Sequence, residues 1–421
     1  MKATLIIENI DSLITIRGEN KARAGLEQRE NGLINNGIIA VKDDKIIYVG
    51  EGSLPDNIEV GENTIILNGE GKTVTPGLID SHTHLVHGGS REHELSMKLK
   101  GKDYLEILAA GGGIYSTAKA TSNASFDELY KKAEKSLNTM LSFGVTTVEA
   151  KSGYGIGDFD TELKQIEVAN KLNQNKQVDI VSTFMGAHAV PEKYKNNSDL
   201  FVDKLINEMI PYIAEKKLAK FNDVFCEEGV FTVEQSRKIL KAGKAHGLIP
   251  KVHADEIVSL GGAELAAEVE CISAEHLIGA SDQGIKAMAQ KGVIAVLLPG
   301  TSFNLQKGTV ARARKMIEEN VPVAISTDYN PGSCPSENIQ LMMTLASLSL
   351  KLVPEEVIVG VTINAAAALG LENQIGSLEV GKKADIAIFD VPNLDYMIYH
   401  FGINHTDKVI KNGQLVYEKN Q

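Results

Sequence analysis

The chain contains no tryptophan and only 3 cysteines in 421 residues. Cys226, Cys271 and Cys334 are odd in number, widely spaced and never in a CxxC pair. That excludes a disulfide framework and a cysteine-built zinc site, and it fits a reducing cytoplasm. Positive charge is scarce as well. Lys and Arg total 43 against 55 Asp and Glu, a formal net charge of −12, and no basic stripe is visible. Nucleic acid is therefore not an expected partner. No apolar run approaches the roughly 20 residues of a membrane span, so no membrane is expected either. The opening Met1–Glu8 meets acidic and polar residues too early for a signal peptide, and a cytoplasmic location is the expectation. There is no low-complexity tract and no repeat beyond an alternation of strands and helices. What is plentiful is core material, with 43% hydrophobic residues. That suffices for one barrel of roughly 250 residues plus a smaller domain.

Residues 1–75 read as short β segments at Ala3–Ile7, Leu13–Ile16, Gly37–Lys42 and Lys45–Val49, with Asp43-Asp44 as a hairpin-like break. Glu19–Gln28, charged and glycine-containing, reads as an exposed loop. From Thr75 the pattern changes. Strand candidates fall at Leu78–His84, Val145–Lys151, Asp179–His188, Phe221–Glu227, Ile249–Glu256, Cys271–His276, Val293–Leu298 and Val321–Asp328. Helical patterns separate them: Ser125–Leu141, Thr161–Leu172, Asp199–Glu215, Thr232–Ala245, Gly261–Glu268, Ser281–Gln290 and Val310–Glu319. Ser125 before Phe-Asp-Glu, and Thr232 three before Gln235, carry helix-start signals. Two more helices, Ser336–Lys351 and Pro354–Leu369, follow. This succession spells an α/β chain folded as a (β/α)8 TIM barrel. After Ile375 the chain returns to β at Ala384–Phe389 and Lys408–Tyr417, with Lys411-Asn412-Gly413 as a turn. Neither end can bury a core alone. The expectation is a composite β-sandwich domain from 1–75 and 374–421, and a barrel over 76–373.

The chemistry gathers where the predicted barrel strands end. His82-Thr83-His84 closes the first, and spacing of two on a strand puts both imidazoles on one face. His188 ends the third, His253-Ala-Asp-Glu256 the fifth, His276 the sixth and Ser326-Thr-Asp328 the eighth. The C-terminal ends of the strands are where barrel active sites lie. Each residue alone could be a hydrogen-bonded strand-end group; together they form a set. His82, His84, His253 and Asp328 make a ligand set for one divalent metal, zinc or iron, with a position left for water. Such a metal brings the pKa of bound water toward neutrality. Glu256 is placed to carry a proton to a leaving nitrogen, and His276 to polarise the attacked carbonyl or hold the water.

Other residues carry less. His87, His93, His246, His400 and His405 have no partner pattern, and His246 before Gly247 reads as a helix C-terminus. Gly111-Gly112-Gly113 lacks the Gly-Lys-Ser/Thr ending of a phosphate loop and reads as a flexible segment near the mouth. Cys334 has no neighbouring base and reads as structural.

The Pro76–His84 start, the His253-x-x-Glu256 pair, the strand-six His276 and the strand-eight Asp328 resemble the amidohydrolase superfamily. The resemblance spans the chain and includes the Gly376–Asp385 entry to the composite domain. Binuclear members carry a carboxylated lysine at the end of strand four. Here that strand reads Asp223-Val-Phe-Cys-Glu-Glu228, so the resemblance implies one metal. Glu149–Gly155, Met185–Pro191, His253–Glu256 and Asp328–Ser333 resemble one branch. Its members hydrolyse the cyclic amide of 4-imidazolone-5-propanoate to N-formimidoyl-L-glutamate in histidine degradation. That resemblance implies metal ligation by His82, His84, His253 and Asp328, and substrate contact by Arg91, Tyr104, Tyr154, His188 and Glu256. It implies that Asn330, Gly332 and Ser333 lie near the product, and that the assembly is a homodimer. Arg91 can take the propionate in two parallel hydrogen bonds. Ser333 replaces a usual Thr and keeps the hydroxyl. Lys151 lies within one motif; an ion pair and a catalytic role both remain open. The alternative is a deaminase of a cytosine- or guanine-like ring, which would share the metal set but not call for Arg91 and Tyr154. A metal-free scaffold would be expected to have lost ligands.

Overall fold

The computed structural model describes residues 1–102, 106, 112–175, 177–306 and 308–419. The chain opens with β1 (Lys2–Ile14), β2 (Leu33–Lys42), β3 (Lys45–Glu51), β4 (Glu59–Asn68) and β5 (Thr73–Pro76). β1 is one long strand where the sequence suggests two pieces. Asn9 takes a φ of 55° inside a bulge between Ile7 and Ile10, so the strand bends without ending. β4 was not legible in the sequence. It is largely solvent-facing, with Val60, Ile65 and Ile66 about half exposed, so no hydrophobic alternation marks it.

The barrel strands are β6 (Leu78–Asp80), β7 (Val145–Lys151), β8 (Asp179–Ala187), β9 (Phe221–Cys226), β10 (Ile249–Ala254), β11 (Ser273–His276), β12 (Ile294–Leu297) and β13 (Val323–Ile325). They pair in sequence order as an 8-stranded parallel sheet. Helices cover one side and side chains fill the other, so β7 and β11 are buried along their whole length. Every predicted barrel strand is present. The first and last are shorter than their sequence patterns, and their continuations close the barrel. The Asp328 N–H donates to the His82 carbonyl (3.0 Å), and the His84 N–H donates to the Tyr329 carbonyl (2.8 Å). Below this seam the Asp80 carboxylate accepts from the Thr327 N–H (3.0 Å) and hydroxyl (2.6 Å).

The two chain ends meet as the sequence predicts. β14 (Ile386–Phe389) pairs antiparallel with β5, and β15 (Thr406–Lys411) and β16 (Gln414–Glu418) extend the same 8-stranded sheet. Leu5, Ile7, Ile10 and Leu13 from the start of the chain share one apolar cluster with Ile386, Ile388 and Ile410 from its end. The β15–β16 turn is Asn412-Gly413, both at positive φ (49° and 76°), as a two-residue hairpin turn requires.

Ser125 and Thr232 form the expected capping boxes. Two predicted helices are interrupted. Asp199–Glu215 contains a π turn at Leu205–Met209, beside Pro211, which has no N–H to donate to the preceding turn. Pro354–Leu369 breaks at Thr362, whose φ and ψ of −128° and −98° are not helical. Glu19–Gln28 is not a simple exposed loop. Arg23 and Gln28 are buried, and the Gln28 amide donates to the Val323 and Glu356 carbonyls while accepting from the Val323 N–H. The segment is thereby tied to β13. Gln28→Ala would leave the buried Val323 N–H without its partner, while the Val323 carbonyl keeps Asn364, and should cost about 1–3 kcal/mol. Urea unfolding of the pure variant measures it.

Candidate active site

β6 ends at Asp80, and the backbone runs on extended, so His82 and His84 still face the same way while Thr83 turns outward to donate to the Glu149 carbonyl (2.6 Å). The rings of His82 and His84 lie 5.7 Å apart, and His253 from β10 is 4.6 Å from His82 and 5.6 Å from His84. Asp328 reaches in from beyond β13, its Oδ1 3.3 Å from His82 Nε2 and 3.8 Å from His84 Nε2. The turns that aim these groups are tight. Asp255, His276, Leu277 and Asp328 all take positive φ, between 51° and 69°. Left-handed backbone at non-glycine residues clusters at functional sites.

The donor atoms fit a metal ion. His82 Nδ1 lies 2.7 Å from Glu275 Oε2, which places the ring proton on Nδ1 and a lone pair on Nε2. That lone pair then faces the Asp328 carboxylate with no proton between them, and His82 Nε2 and His253 Nε2 are buried with no hydrogen-bond partner. Facing lone pairs repel unless a cation lies between them. Ligand atoms of His82, His84 and Asp328 come within 4.8 Å of one another, as do those of His82, His253 and His276. His276, expected only as a catalytic group, is thus also within ligating reach. Burial pushes His82 and His84 well below the ordinary imidazole value, and His276 down to about 3. All three are neutral, as metal ligands and neutral donors must be. For His253 burial acts the same way, but the Asp223 carboxylate 3.1 Å from Nδ1 raises it.

Beneath the histidines lies a buried charge network. Lys151 Nζ is 2.8 Å from Asp223 and 3.0 Å from Glu149; Lys251 Nζ is 3.2 Å from Glu149 and 3.5 Å from Glu275. Lys151 is therefore an ion-pair residue. Burial opposes its charge, yet Asp223 and Glu149 raise it above the usual lysine value. Asp223 and Glu275 in turn hold His253 and His82, so the lysines act on the imidazoles through these carboxylates. Among these residues Lys251, Asp223 and Glu275 were given no role in the sequence reading. The signal was present in that each is a charged residue inside a barrel strand, beside an apolar neighbour: Asp223 before Val224, Lys251 before Val252 and Glu275 after Ala274.

At the mouth, Glu256 Oε2 lies 3.5 Å from His276 Nε2. The Thr301 hydroxyl donates to Asp328 Oδ2 (2.5 Å), another partner the sequence did not flag. His188 stacks on His84 at 4.8 Å and 13° between planes, and desolvation brings it down to about 3. Tyr154, buried, lies 5.7 Å from His84 and 5.5 Å from His188, ring to ring; burial and the Asp328 charge raise its phenol, which stays protonated. Arg91 gives Nε and Nη2 to Glu94 (2.8 and 2.9 Å). Its Nη1 lies where a Cβ on Gly332 would be, 2.1 Å from that position. Asn330 spends its amide on its own turn, donating to the Asp328 carbonyl and Ser333 Oγ and accepting from the Gly332 and Ser333 N–H groups. It shapes the loop that carries Gly332 and Ser333. Tyr104 and Gly111 lie outside the described residues. Gly113 is pinned, its N–H donating to Glu94 (2.7 Å).

The remaining histidines divide. His246 does cap the C-terminus of the helix Val233–Ala245, followed by Gly247 at φ 87°. His87 is buried, 5.4 Å from Tyr329 and 6.2 Å from Tyr154, and packs behind the site. Burial raises the Cys334 thiol, as a structural cysteine requires. Among the described residues no helix is long and apolar enough to cross a membrane.

A barrel with a histidine–aspartate cluster at its strand ends defines a class of metal-dependent hydrolases, and the amidohydrolase family model matches residues 73–416. The chain belongs to the amidohydrolase family. Its relatives include imidazolonepropionases of Alkaliphilus metalliredigens (58% identical, covering 100% of this chain and 99% of that one) and Fusobacterium nucleatum (54%, 100% and 100%). Within the family it belongs with the imidazolonepropionases. Solved structures share the fold at low identity. They include a triazine hydrolase from Arthobacter aurescens (TM-score 0.72, 17% identical, covering 99% and 95% of the two chains). An adenosine deaminase from Xanthomonas campestris with bound zinc has a TM-score of 0.70 at 16% identity, covering 98% and 93%. The deaminase alternative is not favoured, since that likeness extends to the fold alone.

Glu275→Gln keeps an acceptor for His82 Nδ1 but removes its charge. Apparent metal affinity should fall about 10–100-fold, as measured by competition with a chromogenic chelator.

Proposed function

We propose that this chain hydrolyses the ring amide of 4-imidazolone-5-propanoate to N-formimidoyl-L-glutamate, using one zinc or iron ion held by His82, His84, His253 and Asp328. The observation that carries this reading is a cation at the mouth of a metal-ligand cluster. Arg91 Nη1 beside Gly332 meets a substrate carboxylate, a group that nucleobases lack. Because Glu94 takes the Nε edge, the carboxylate is met by the terminal Nη1–Nη2 edge. Tyr154 supplies a protonated phenol, and His188 an imidazole, to the same ligand.

When bound, the ion lowers the pKa of a coordinated water and polarises the ring carbonyl. The protein does the rest. Asp328 or Glu256 accepts a proton as the water oxygen adds to the carbonyl carbon. Neutral His276 donates toward the oxygen that gains charge. As the carbon–nitrogen bond breaks, Glu256 gives the departing nitrogen the proton taken from the water, whether it accepted that proton itself or received it from Asp328. Asn330 and Ser333 shape the loop on which the ring rests, and Tyr104 completes the substrate contacts. The same reading takes residues 1–75 with 374–421 and residues 76–373 as the two domains. It also carries a homodimer and a cytoplasmic location; three buried free cysteines suit a reducing compartment.

The test follows loss of imidazolone absorbance with fresh substrate. Acceleration over spontaneous decay that chelation or Asp328→Ala abolishes supports the proposal; none in a metal-loaded sample sinks the substrate assignment. Glu256→Gln should lower kcat by about 100-fold or more with metal retained. Gly332→Ala, whose methyl would displace Arg91, should raise KM about tenfold while kcat stays near the native value.

A further inference from the structure

Three consecutive backbone N–H groups follow β7, at Gly153, Tyr154 and Gly155. All three are taken by two side chains of the helix Phe159–Asn173. Glu162 Oε2 accepts from Gly153 (2.9 Å), Glu162 Oε1 from Gly155 (3.0 Å), and Gln165 Oε1 from Tyr154 (3.0 Å). Glu162 and Gln165 are three apart, hence on one helix face, and both are buried at 1% exposure. Successive N–H groups of this kind make a concavity for an anion, and here the protein fills it with its own carboxylate.

The turn has no slack. A Cβ at Gly155 would lie 2.4 Å from the Glu162 nitrogen, and one at Gly153, whose φ is 121°, would lie 2.6 Å from His188 Nδ1. The Gly153 carbonyl lies 3.1 Å from His188 Nδ1, so it fixes the proton there and leaves Nε2 as the free acceptor. The Gln165 Nε2 group also donates to the Val86 carbonyl (2.6 Å), two residues past His84. One helix thus fastens the loop after β6 to the loop after β7.

We propose that Glu162 and Gln165 are positioning residues that set the place of Tyr154 and the tautomer of His188, and so govern substrate affinity rather than the chemical step. This rests on the reading of Tyr154 and His188 as substrate contacts. Neither Glu162 nor Gln165 touches the metal-ligand cluster. Glu162→Gln turns one acceptor into an NH2 donor facing an N–H, which displaces the turn while keeping the side chain's size.

The experiment uses metal-loaded full-length protein, wild type against Glu162→Gln. KM should rise about tenfold, with kcat within about twofold and metal content unchanged. In a Tyr154→Phe background the same substitution should raise KM by clearly less than in the wild type, because one of the two contacts it acts on is already gone. Long-range 1H–15N spectra of histidine-labelled protein should show His188 as the Nδ1–H tautomer in the wild type and a mixture in the variant. An unchanged KM, a full effect retained beside Tyr154→Phe, or an unchanged His188 spectrum overturns the proposal. If Glu162→Gln does not fold, Gln165→Met is held to the same KM and spectral criteria. The spectrum needs no substrate, so it decides the positioning role even if the imidazolone assignment fails.

Discussion

Two lysines with no access to water, Lys151 and Lys251, set the terms for everything above them. A buried ammonium is costly unless it is paired, and these are paired with Glu149, Asp223 and Glu275. The lysines give these carboxylates the positive neighbours that buried anions need. Glu275 takes the Nδ1 side of His82, which turns Nε2 toward Asp328 as a lone-pair donor, and Asp223 lies 3.1 Å from His253 Nδ1. Replacing the network with apolar residues could keep the barrel. It would leave the imidazoles free to choose either tautomer, and the convergence of lone pairs would go with it.

The barrel seam and the site are the same stretch of backbone. His82 and His84 exchange main-chain hydrogen bonds with Asp328 and Tyr329, so closing the first strand on the last also brings two histidines to the aspartate. Asp80, two residues before His82, secures that closure through Ser326 and Thr327. Geometry at the metal-ligand cluster is thus inherited from the most constrained part of the fold. The substrate side differs. Arg91, Tyr154 and the Asn330 turn ride on loops, and each is held by side-chain hydrogen bonds: from Glu94, from Glu162 with Gln165, and from the Asn330 amide itself. A rigid barrel with individually pinned loops allows specificity to change without moving the ligand set.

Much of this was legible in order along the chain. The barrel strands, the composite sheet, the helix caps and the residues that gather at the strand ends follow from periodicity, turn residues and chemistry-bearing side chains. Other features were hidden for definite reasons. β4 has no alternation because most of its side chains face solvent. Gln28 and Arg23 look like loop residues because their partners, Val323, Glu356 and Asn364, lie about three hundred positions away. Lys251 and Glu275 look like chance charges within strands, since a pairing across the barrel leaves no mark on local sequence.

By itself the sequence determined which elements form and which residues are chemically able to act, because hydrophobic period, capping and residue type are local properties. Only the tertiary structure decided how those residues are used. It made Lys151 an ion-pair partner, gave His276 ligating reach, turned one edge of Arg91 toward Glu94, and committed Asn330 to its own turn. Each of these depends on distance and direction between segments far apart in the chain. Buried charges and hydrogen-bond donors are satisfied by whatever the fold brings within 3 Å or so, and that is fixed only when the barrel closes.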